Sequence, residues 1–393
     1  MNVENKISVI FAGDFAPCRR YESIVIKKGE TIFGDALPII QSADISFVNL
    51  ECPLTTHDKA IIKSGPALKA NPKCISALKS FSVIGLANNH ILDFGEQGLQ
   101  DTISVCNDNG LATVGAGLTL REAQNFFIQE VKGLKVAIIA IAEYEFNQSE
   151  GGAGSAPIDP IDNYRQIKEA KIVADIVLIT IHGGNEYFPY PRPGLRKLCQ
   201  HYVDIGVDAV ICHHPHVSGA YEVYNGSPII YSLGNLVFDH PTPPKGWDEG
   251  YLVKLLINTT TKGLDDVELI PYHQSVSFAG IRLLNDKVKM DFLDKIEGYR
   301  DDLNNNDAWL MKWEQFLLAK RNSVIVGNYF PFSFKGLGFI TRHMPLIKLI
   351  FPKSSILRRL NLIRCQSHRE LLIDTIKHEE WVTLRKERNK TKL

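Results

Sequence analysis

Seven times between residues 7 and 240, a short run rich in Val, Ile and Phe breaks off into polar or glycine residues. "ISVIFA" ends at Gly13-Asp14, "ISFVNL" at Glu51, and "FSVIGLA" at Asn88-Asn89-His90. "KVAIIAIA" ends at Glu143, and "DIVLITI" at His182-Gly183-Gly184-Asn185-Glu186. "DAVIC" ends at His213-His214-Pro215-His216, and "PIIYSL" at Gly234-Asn235. Runs this short, apolar at consecutive positions, are what strands buried on both faces look like.

Helical patterns lie between them. "EQGLQDTISVCNDNG" spaces Leu99, Ile103 and Cys106 on one face and stops at Gly110. "PGLRKLCQHYVDIG" does the same with Leu195, Leu198 and Val203 and stops at Gly206. Glycine just past the last turn is a helix stop. Strands alternating with helices predict a layered α/β domain. "GYLVKLLIN", "LDDVELIPYH" and "VSFAGIRLLN" read as further strands that close it. From about Asp294 the character changes. "YRDDLNNNDAWLMKWEQFLLAKRN" reads as a helix with Asp307 as a cap, and residues 356 to 388 read as helical. The expected division is a body over residues 1–290 and a small, mostly helical, basic extension over 291–393.

In such sheets functional groups gather beyond the carboxyl ends of the strands. Here those ends supply Asp, Glu, Asn and His. A single His near a strand end is usually a hydrogen-bonded or surface residue, and His213 is read that way. Asn and Gly after a strand are ordinary turn formers. The signal is their joint occurrence at successive ends. Oxygen and imidazole donors without thiolates suit Mn, Zn or Fe, and a pair of ions about 4 Å apart is the usual clamp for phosphoester hydrolysis. A pair needs one anionic bridge, for which Glu51 is the candidate. Pro215 biases His214 toward extended backbone, which would turn His214 and His216 to the same side.

"GDFAPCR", "VNLECPLT", "GLANNHILDFGEQGL", "IHGGNEY", "CHHPHV" and "YSLGNLVFD" occur in that order. As an ordered set they resemble the CapA, or poly-γ-glutamate capsule biosynthesis, family, a branch of the calcineurin-like metallophosphoesterase superfamily. The likeness covers about residues 7 to 240. It implies a layered β-sandwich flanked by helices and two divalent metal ions. It implies that Asp14 binds one ion, that Glu51 bridges both, and that Asn89 and His182 bind the second. His214 and His216 would divide between the ions, and His90 would act as general acid or stabilise the leaving group. Arg19 follows the first motif in the family manner and either holds an anionic group of the substrate or makes a surface salt bridge. Glu186 and Tyr187 are candidates for orienting His182, and Asn235 for lining the site. Asp93 is read as capping or orienting the turn after His90.

Three positions depart from the pattern. The superfamily's first motif usually carries a His where this chain has Ala16, a lack that the capsule family shares. Family members commonly have Trp where this chain has Gly183. The stretch "KSGP" at 63–66 replaces an Arg-aromatic-Pro pattern, so Lys63 is the candidate for the anion contact. Cys18 and Cys52, beside two proposed ligands, are read as small buried residues.

Lys plus Arg and Asp plus Glu number 44 each, so nucleic acid is not an expected partner. The balance hides an asymmetry: residues 341–393 hold 13 Lys/Arg against five Asp/Glu. That basic region is a candidate contact for a membrane surface or a partner, whereas the site predicts an anionic small molecule or polymer as substrate. Seven scattered cysteines without a CxxC pair point to a reducing compartment. No charged n-region followed by a long apolar stretch opens the chain, and a cytoplasmic location is expected. The most apolar stretch, 329–351, is broken by Pro331, Lys335, Arg342, His343, Pro345 and Lys348. Three functions are consistent with these features: a metal-dependent phosphoester hydrolase, a non-catalytic module that binds an anionic polymer, and metal-dependent cleavage or transfer of a γ-glutamyl amide polymer.

Overall fold

The computed structural model describes residues 5–63, 65–148, 152–274, 279–329 and 353–375. They form two compact units, one of Met1–Ile61 with Ala67–Asn306 and one of Ile62–Pro66 with Asp307–Leu393.

The first unit is a sandwich of two mixed sheets. Strands β1 (Lys6–Ala16), β2 (Ile45–Leu50), β3 (Val83–Gly85) and β4 (Ala112–Val114) lie side by side and parallel. A short ribbon follows, made by β5 (Ala116–Gly117) with a later strand. The hairpin of β6 (Phe127–Val131) and β7 (Leu134–Ala142) opens the second sheet. The strand β8 (Gly154–Ser155) completes the ribbon with β5. Next to β7, the strands β9 (Ile176–His182), β10 (Ala209–His213) and β12 (Ser227–Ile230) add in parallel, and β11 (Tyr221–Tyr224) closes the edge antiparallel to β12. The chain then returns to the first sheet. There β13 (Asn235–Phe238) runs parallel to β1, while β14 (Glu249–Asn258), β15 (Gly263–Gln274) and β16 (Ile281–Leu283) extend the sheet antiparallel.

The period of two along a strand explains why the central runs are apolar throughout. On β1, Ile7, Val9 and Phe11 face the second sheet and pack with Val136, Ile138, Leu178 and Ile211. On the opposite face of β1, Ile10 and Ala12 pack with Val25, Phe33 and Leu78 from the helical segments between β1 and β3. The helices Pro160–Val173 and Pro193–Asp204 cover the second sheet. Asp159 caps the first of these by accepting from the backbone N–H groups of Ile161 and Asp162. The expected glycine stops are present: Gly110 (φ +71°) and Gly206 (φ +111°) follow the helices Gly95–Asp108 and Pro193–Asp204.

One glycine places the site. Residues 6–11 of β1 pair with β14, whereas Asp14, Phe15 and Ala16 pair with β13. Gly13 sits at the change of partner, and the β1–β2 register also shifts between Ala12 and Asp14. A Cβ at Gly13 would lie 2.1 Å from the Gly234 carbonyl oxygen. Only glycine lets the two backbones approach this closely. The irregularity re-aims the next side chain, Asp14, as bulges do.

The helical segments toward the C-terminus differ from the reading of one helix over 299–322. The helix Asp286–Asn304 belongs to the first unit, with Phe292 and Ile296 in the inter-sheet core. The boundary expected after residue 290 therefore falls within a packed helix. Asn305 is extended (φ −97°, ψ 100°), and a new helix, Asn306–Tyr329, begins after it. Asp307 is accordingly a first-turn residue of the second helix rather than its cap. In the second unit, Trp313 Nε1 donates to Asp374 Oδ2 at 3.2 Å, which ties that helix to the helical residues 366–375. The helix Lys353–Arg364 precedes them. The part of the 356–388 reading beyond 375 lies outside the described residues, as does 330–352. No helix among the described residues is long and apolar enough to cross a membrane.

A methyl group at Gly13 must push β13 away from β1. Gly13→Ala is expected to cost at least about 2–3 kcal/mol. Gly298→Ala, at an open helical position with nothing within 4 Å of the added Cβ, is expected to add up to about 1 kcal/mol. Thermal melts of the two variants beside the wild type check the pair.

Candidate metal centre

Each group in the site stands at or just past the carboxyl end of a strand, and the ends come from both sheets. Asp14 is near the end of β1, Glu51 follows β2, and Asn88 to His90 follow β3. His182 ends β9, and His213 to His216 end and follow β10. The strands carrying them are parallel within each sheet, so all these ends emerge at one edge.

The backbone is bent into unusual shapes to aim the side chains. His214 (φ +96°) and His216 (φ +59°) both have positive φ. The extended geometry expected from Pro215 is therefore absent. A side chain in the left-handed region costs energy that surrounding structure must offset. Here the His214 N–H donates to Asp14 Oδ2 at 3.1 Å, and Pro215 O accepts from Tyr187 N–H at 2.9 Å. Arg19 (φ +57°) and Tyr187 (φ +64°) share this feature.

Two overlapping donor groups result: Glu51, His182 and His214, and Asp14, Glu51 and His216, each with its ligand atoms within 4.8 Å of one another. Glu51 Oε1 lies 3.7 Å from His182 Nε2 and 3.6 Å from His216 Nε2. Asn89 Oδ1 is 3.0 Å from His182 Nε2, and His214 Nδ1 is 3.2 Å from the same nitrogen. Asn89, His182 and His214 thus converge on one side of Glu51. Asp14 and His216 converge on the other, with His216 Nδ1 3.6 Å from Asp14 Oδ2. The two motif histidines thus stand in different donor groups.

Glu51 is fully buried, and neither carboxylate oxygen has a hydrogen bond. A buried carboxylate in that state is costly. Burial, then the charge of Asp14, pushes the Glu51 carboxyl well above its usual range. For Asp14, burial acts upward, but the imidazoles of His213 and His216 against it outweigh burial and hold it well below the usual range. Burial and the neighbouring His214 push His182 well down, so it is a neutral imidazole with a lone pair to give. The donor set is thus two carboxylates, an amide oxygen and three imidazoles, drawn together around an unpaired buried carboxylate. That chemistry fits a pair of divalent cations.

Other expected residues have different places. His90 Nδ1 is 2.6 Å from Asp93 Oδ2, which also accepts from the Leu68 N–H at 2.7 Å. Asp93 therefore orients the imidazole itself as well as the chain. Arg19 is exposed and donates to the Asp239 carbonyl oxygen at 3.2 Å; the neighbouring Arg20 makes the salt bridge, to Asp239 Oδ1. Lys63 lies in Ile62–Pro66, which groups with the second unit. His213, expected on the surface or hydrogen-bonded, is not on the surface: it is buried beside Phe47, with Nδ1 3.3 Å from Asp14 Oδ1. Cys18 and Cys52 are buried, and burial raises both thiols, Cys18 to about 11.

Another residue stands beside His182: Asn49. Its Nδ2 donates to Asp14 Oδ1 at 2.7 Å and lies 3.1 Å from His182 Nδ1. Asn49 is the fifth residue of "ISFVNL", and a polar group inside an apolar strand was the signal that could have found it. Glu143 and Arg192 were also missed. Glu143 Oε1 accepts from Arg192 Nη1 at 2.6 Å and from the Gly184 N–H at 2.9 Å. This buried pair explains Gly183, because a Cβ there would meet Glu143 Oε1 at 2.5 Å. The place of the expected tryptophan is taken by a carboxylate that holds the turn after His182.

The layered sheets and this donor set define an α/β sandwich protein with a candidate dinuclear metal centre at one edge. Residues 8–240 match the model of the bacterial capsule synthesis protein family PGA_cap. The PGA biosynthesis protein CapA of Bacillus subtilis is 34% identical over 288 residues, 69% of this chain and 73% of that protein. The capsule biosynthesis protein CapA of Bacillus anthracis is 32% identical over 281 residues, 68% of this chain and 64% of that one. The chain belongs to this capsule synthesis family. Among solved structures, a phosphatase from Mycoplasma pneumoniae superposes with a TM-score of 0.45 at 16% identity, covering 73% of this chain and 97% of its own, a remote likeness.

The charge on Glu51 sets a testable trade-off. Its folded-state pKa is raised, so the folded state favours the protonated carboxyl, and stability falls as pH rises above the unfolded value of about 4.3. Gln mimics the protonated form. In metal-stripped protein Glu51→Gln is expected to raise the melting temperature by several degrees at pH 7, from about 1–3 kcal/mol, and by less at pH 5. Added Mn²⁺ is expected to stabilise the wild type and not the variant. Melts at both pH values, with and without Mn²⁺, read all three effects.

Proposed function

We propose that this protein is a metal-dependent hydrolase of the phosphoesterase type that acts on an anionic substrate in capsule or poly-γ-glutamate metabolism. The observation that carries the reading is the Glu51 carboxylate, buried, unpaired and common to both donor groups. Glu51 would stand between two divalent ions, Mn, Zn or Fe. Asp14 and His216 would hold the first, and Asn89, His182 and His214 the second. Bound there, the ions would polarise a phosphoryl or carbonyl oxygen and lower the pKa of water.

The rest is done by the chain's own groups. Asn49 Nδ2 donates to Asp14 Oδ1 and fixes that carboxylate. Asp93 holds His90 Nδ1, so Nε2 is the nitrogen through which His90 would pass a proton to the leaving oxygen. The Leu68 N–H on the same Asp93 oxygen keeps the dyad from rotating. Arg19 is the cation assigned to the anionic part of the substrate. The basic residues of 341–393 are assigned to an anionic membrane surface or partner.

Ala16 favours a second reading, because it offers no donor where the superfamily has a His. A weakened first position suits a module that binds an anionic polymer, or one that cleaves a γ-glutamyl amide. Metal content by mass spectrometry, with the wild type beside His214→Ala and His216→Ala, tests the common premise. The expected result is about two divalent ions in the wild type and a loss in each variant. Assays on phosphoesters and γ-glutamyl amides then separate the readings. His90→Ala is expected to lower phosphoester hydrolysis about 10²–10⁴-fold with metal content unchanged. Metal without turnover of either class would favour the polymer-binding module, and absence of metal in the wild type would overturn the dinuclear site.

A further inference from the structure

Asn235 opens β13, is fully buried, and pairs in register with Asp14. Its Nδ2 donates to two main-chain carbonyls, His216 O at 3.1 Å and Trp247 O at 3.3 Å. An amide nitrogen has two hydrogens, so both are committed. Turning the amide over would aim its oxygen at two carbonyl oxygens. Oδ1 therefore faces His216 Nδ1, at 3.0 Å. An amide oxygen only accepts, so Nδ1 must carry the hydrogen. An imidazole that binds a metal is neutral and has one hydrogen to place, which in that form leaves the lone pair on Nε2. That nitrogen points toward Glu51, with Oε1 3.6 Å away. Trp247 and Phe238 flank the ring, with centroids 5.1 Å and 5.2 Å from it, and limit its rotation.

A second acceptor competes for the same hydrogen. Asp14 Oδ2 lies 3.6 Å from His216 Nδ1 and already accepts from the His214 N–H. Without the Asn235 oxygen, the His216 N–H would turn to Asp14 and occupy a carboxylate oxygen that an ion needs. We propose that Asn235 is a positioning residue of the first metal position: it fixes the His216 tautomer so that Nε2 faces Glu51, and it keeps Asp14 available. This inference rests on the metal-binding reading above. It also supplies a reason why this chain can have Ala16 in the first motif. With fewer donors, each remaining one must be set correctly before an ion arrives, and partners behind a ligating imidazole typically carry about 10–100-fold in metal affinity.

Two variants separate this role from support of the fold. Asn235→Asp keeps an oxygen acceptor but loses both donated bonds. Asn235→Leu loses the acceptor as well. The probe is Mn²⁺ alone, titrated by calorimetry into the full chain, beside thermal melts. A long-range proton–nitrogen NMR spectrum of the metal-stripped protein, with labelled histidine, reads the tautomer. We expect the Nδ1–H form of His216 in the wild type. Asn235→Leu should weaken one of two Mn²⁺ sites by about 10–100-fold and leave the other unchanged. Asn235→Asp should keep both sites, although its melting temperature falls as well. An Nε2–H tautomer in the wild type overturns the inference. So does a loss of both sites in both variants in step with their melting temperatures. If the wild type takes up no Mn²⁺, the dinuclear reading fails with the ion's part of this inference, while the spectrum still decides the tautomer.

Discussion

A carboxylate without a partner is the constraint around which this protein is arranged. Glu51 lies in a fully buried position, and water cannot reach its oxygens. Chains rarely keep such a group unless a cation completes it. Everything near it has the chemistry of a cation's surroundings. Imidazoles approach from the second sheet, an amide oxygen from the loop after β3, and a second carboxylate from β1. The same arrangement sets the protonation states. Asp14 stays ionised because imidazoles face it, Glu51 is driven toward its neutral form, and His182 is kept neutral. Two acids with opposite shifts in one site are a mark of function.

The fold spends strain to build this. Gly13 allows β1 to exchange β14 for β13 within three residues, and the exchange puts Asn235 beside Asp14. His214 and His216 accept left-handed backbone, and their rings join different donor groups that share Glu51. Buried polar pairs hold the bends in place. Glu143 with Arg192 secures the turn after His182, and Asp93 secures His90 while anchoring the Leu68 backbone. Each carries a small share of the geometry.

Much of this was legible in the residue order. The seven apolar runs correspond to strands, although "PIIYSL" continues past β12 and "NLVF" after it forms β13. The two glycine-stopped helices lie where the periodicity put them. What escaped were residues whose role depends on a neighbour far along the chain. Asn49 reads as an interruption in a strand, and Glu143 as one more polar strand end. Arg192 reads as a surface charge before a helix, yet it is among the largest fully buried side chains. The burial of His213 was hidden for the same reason, since a strand's last residue faces in or out according to the sheet packed on it.

The sequence by itself determined the class of fold and the donor set, because both are written in short-range pattern: apolar runs of strand length, each closed by a residue able to bind a metal. Only the tertiary structure decided how those donors divide about Glu51, which amide orients which imidazole, and why glycine stands at 13 and 183. Those outcomes depend on which strands become neighbours and on distances of a few ångströms between residues as much as 221 positions apart, as Gly13 and Gly234 are. A hydrogen bond such as that from His214 to Asp14 has no trace in local spacing, since it exists only after two sheets have packed face to face.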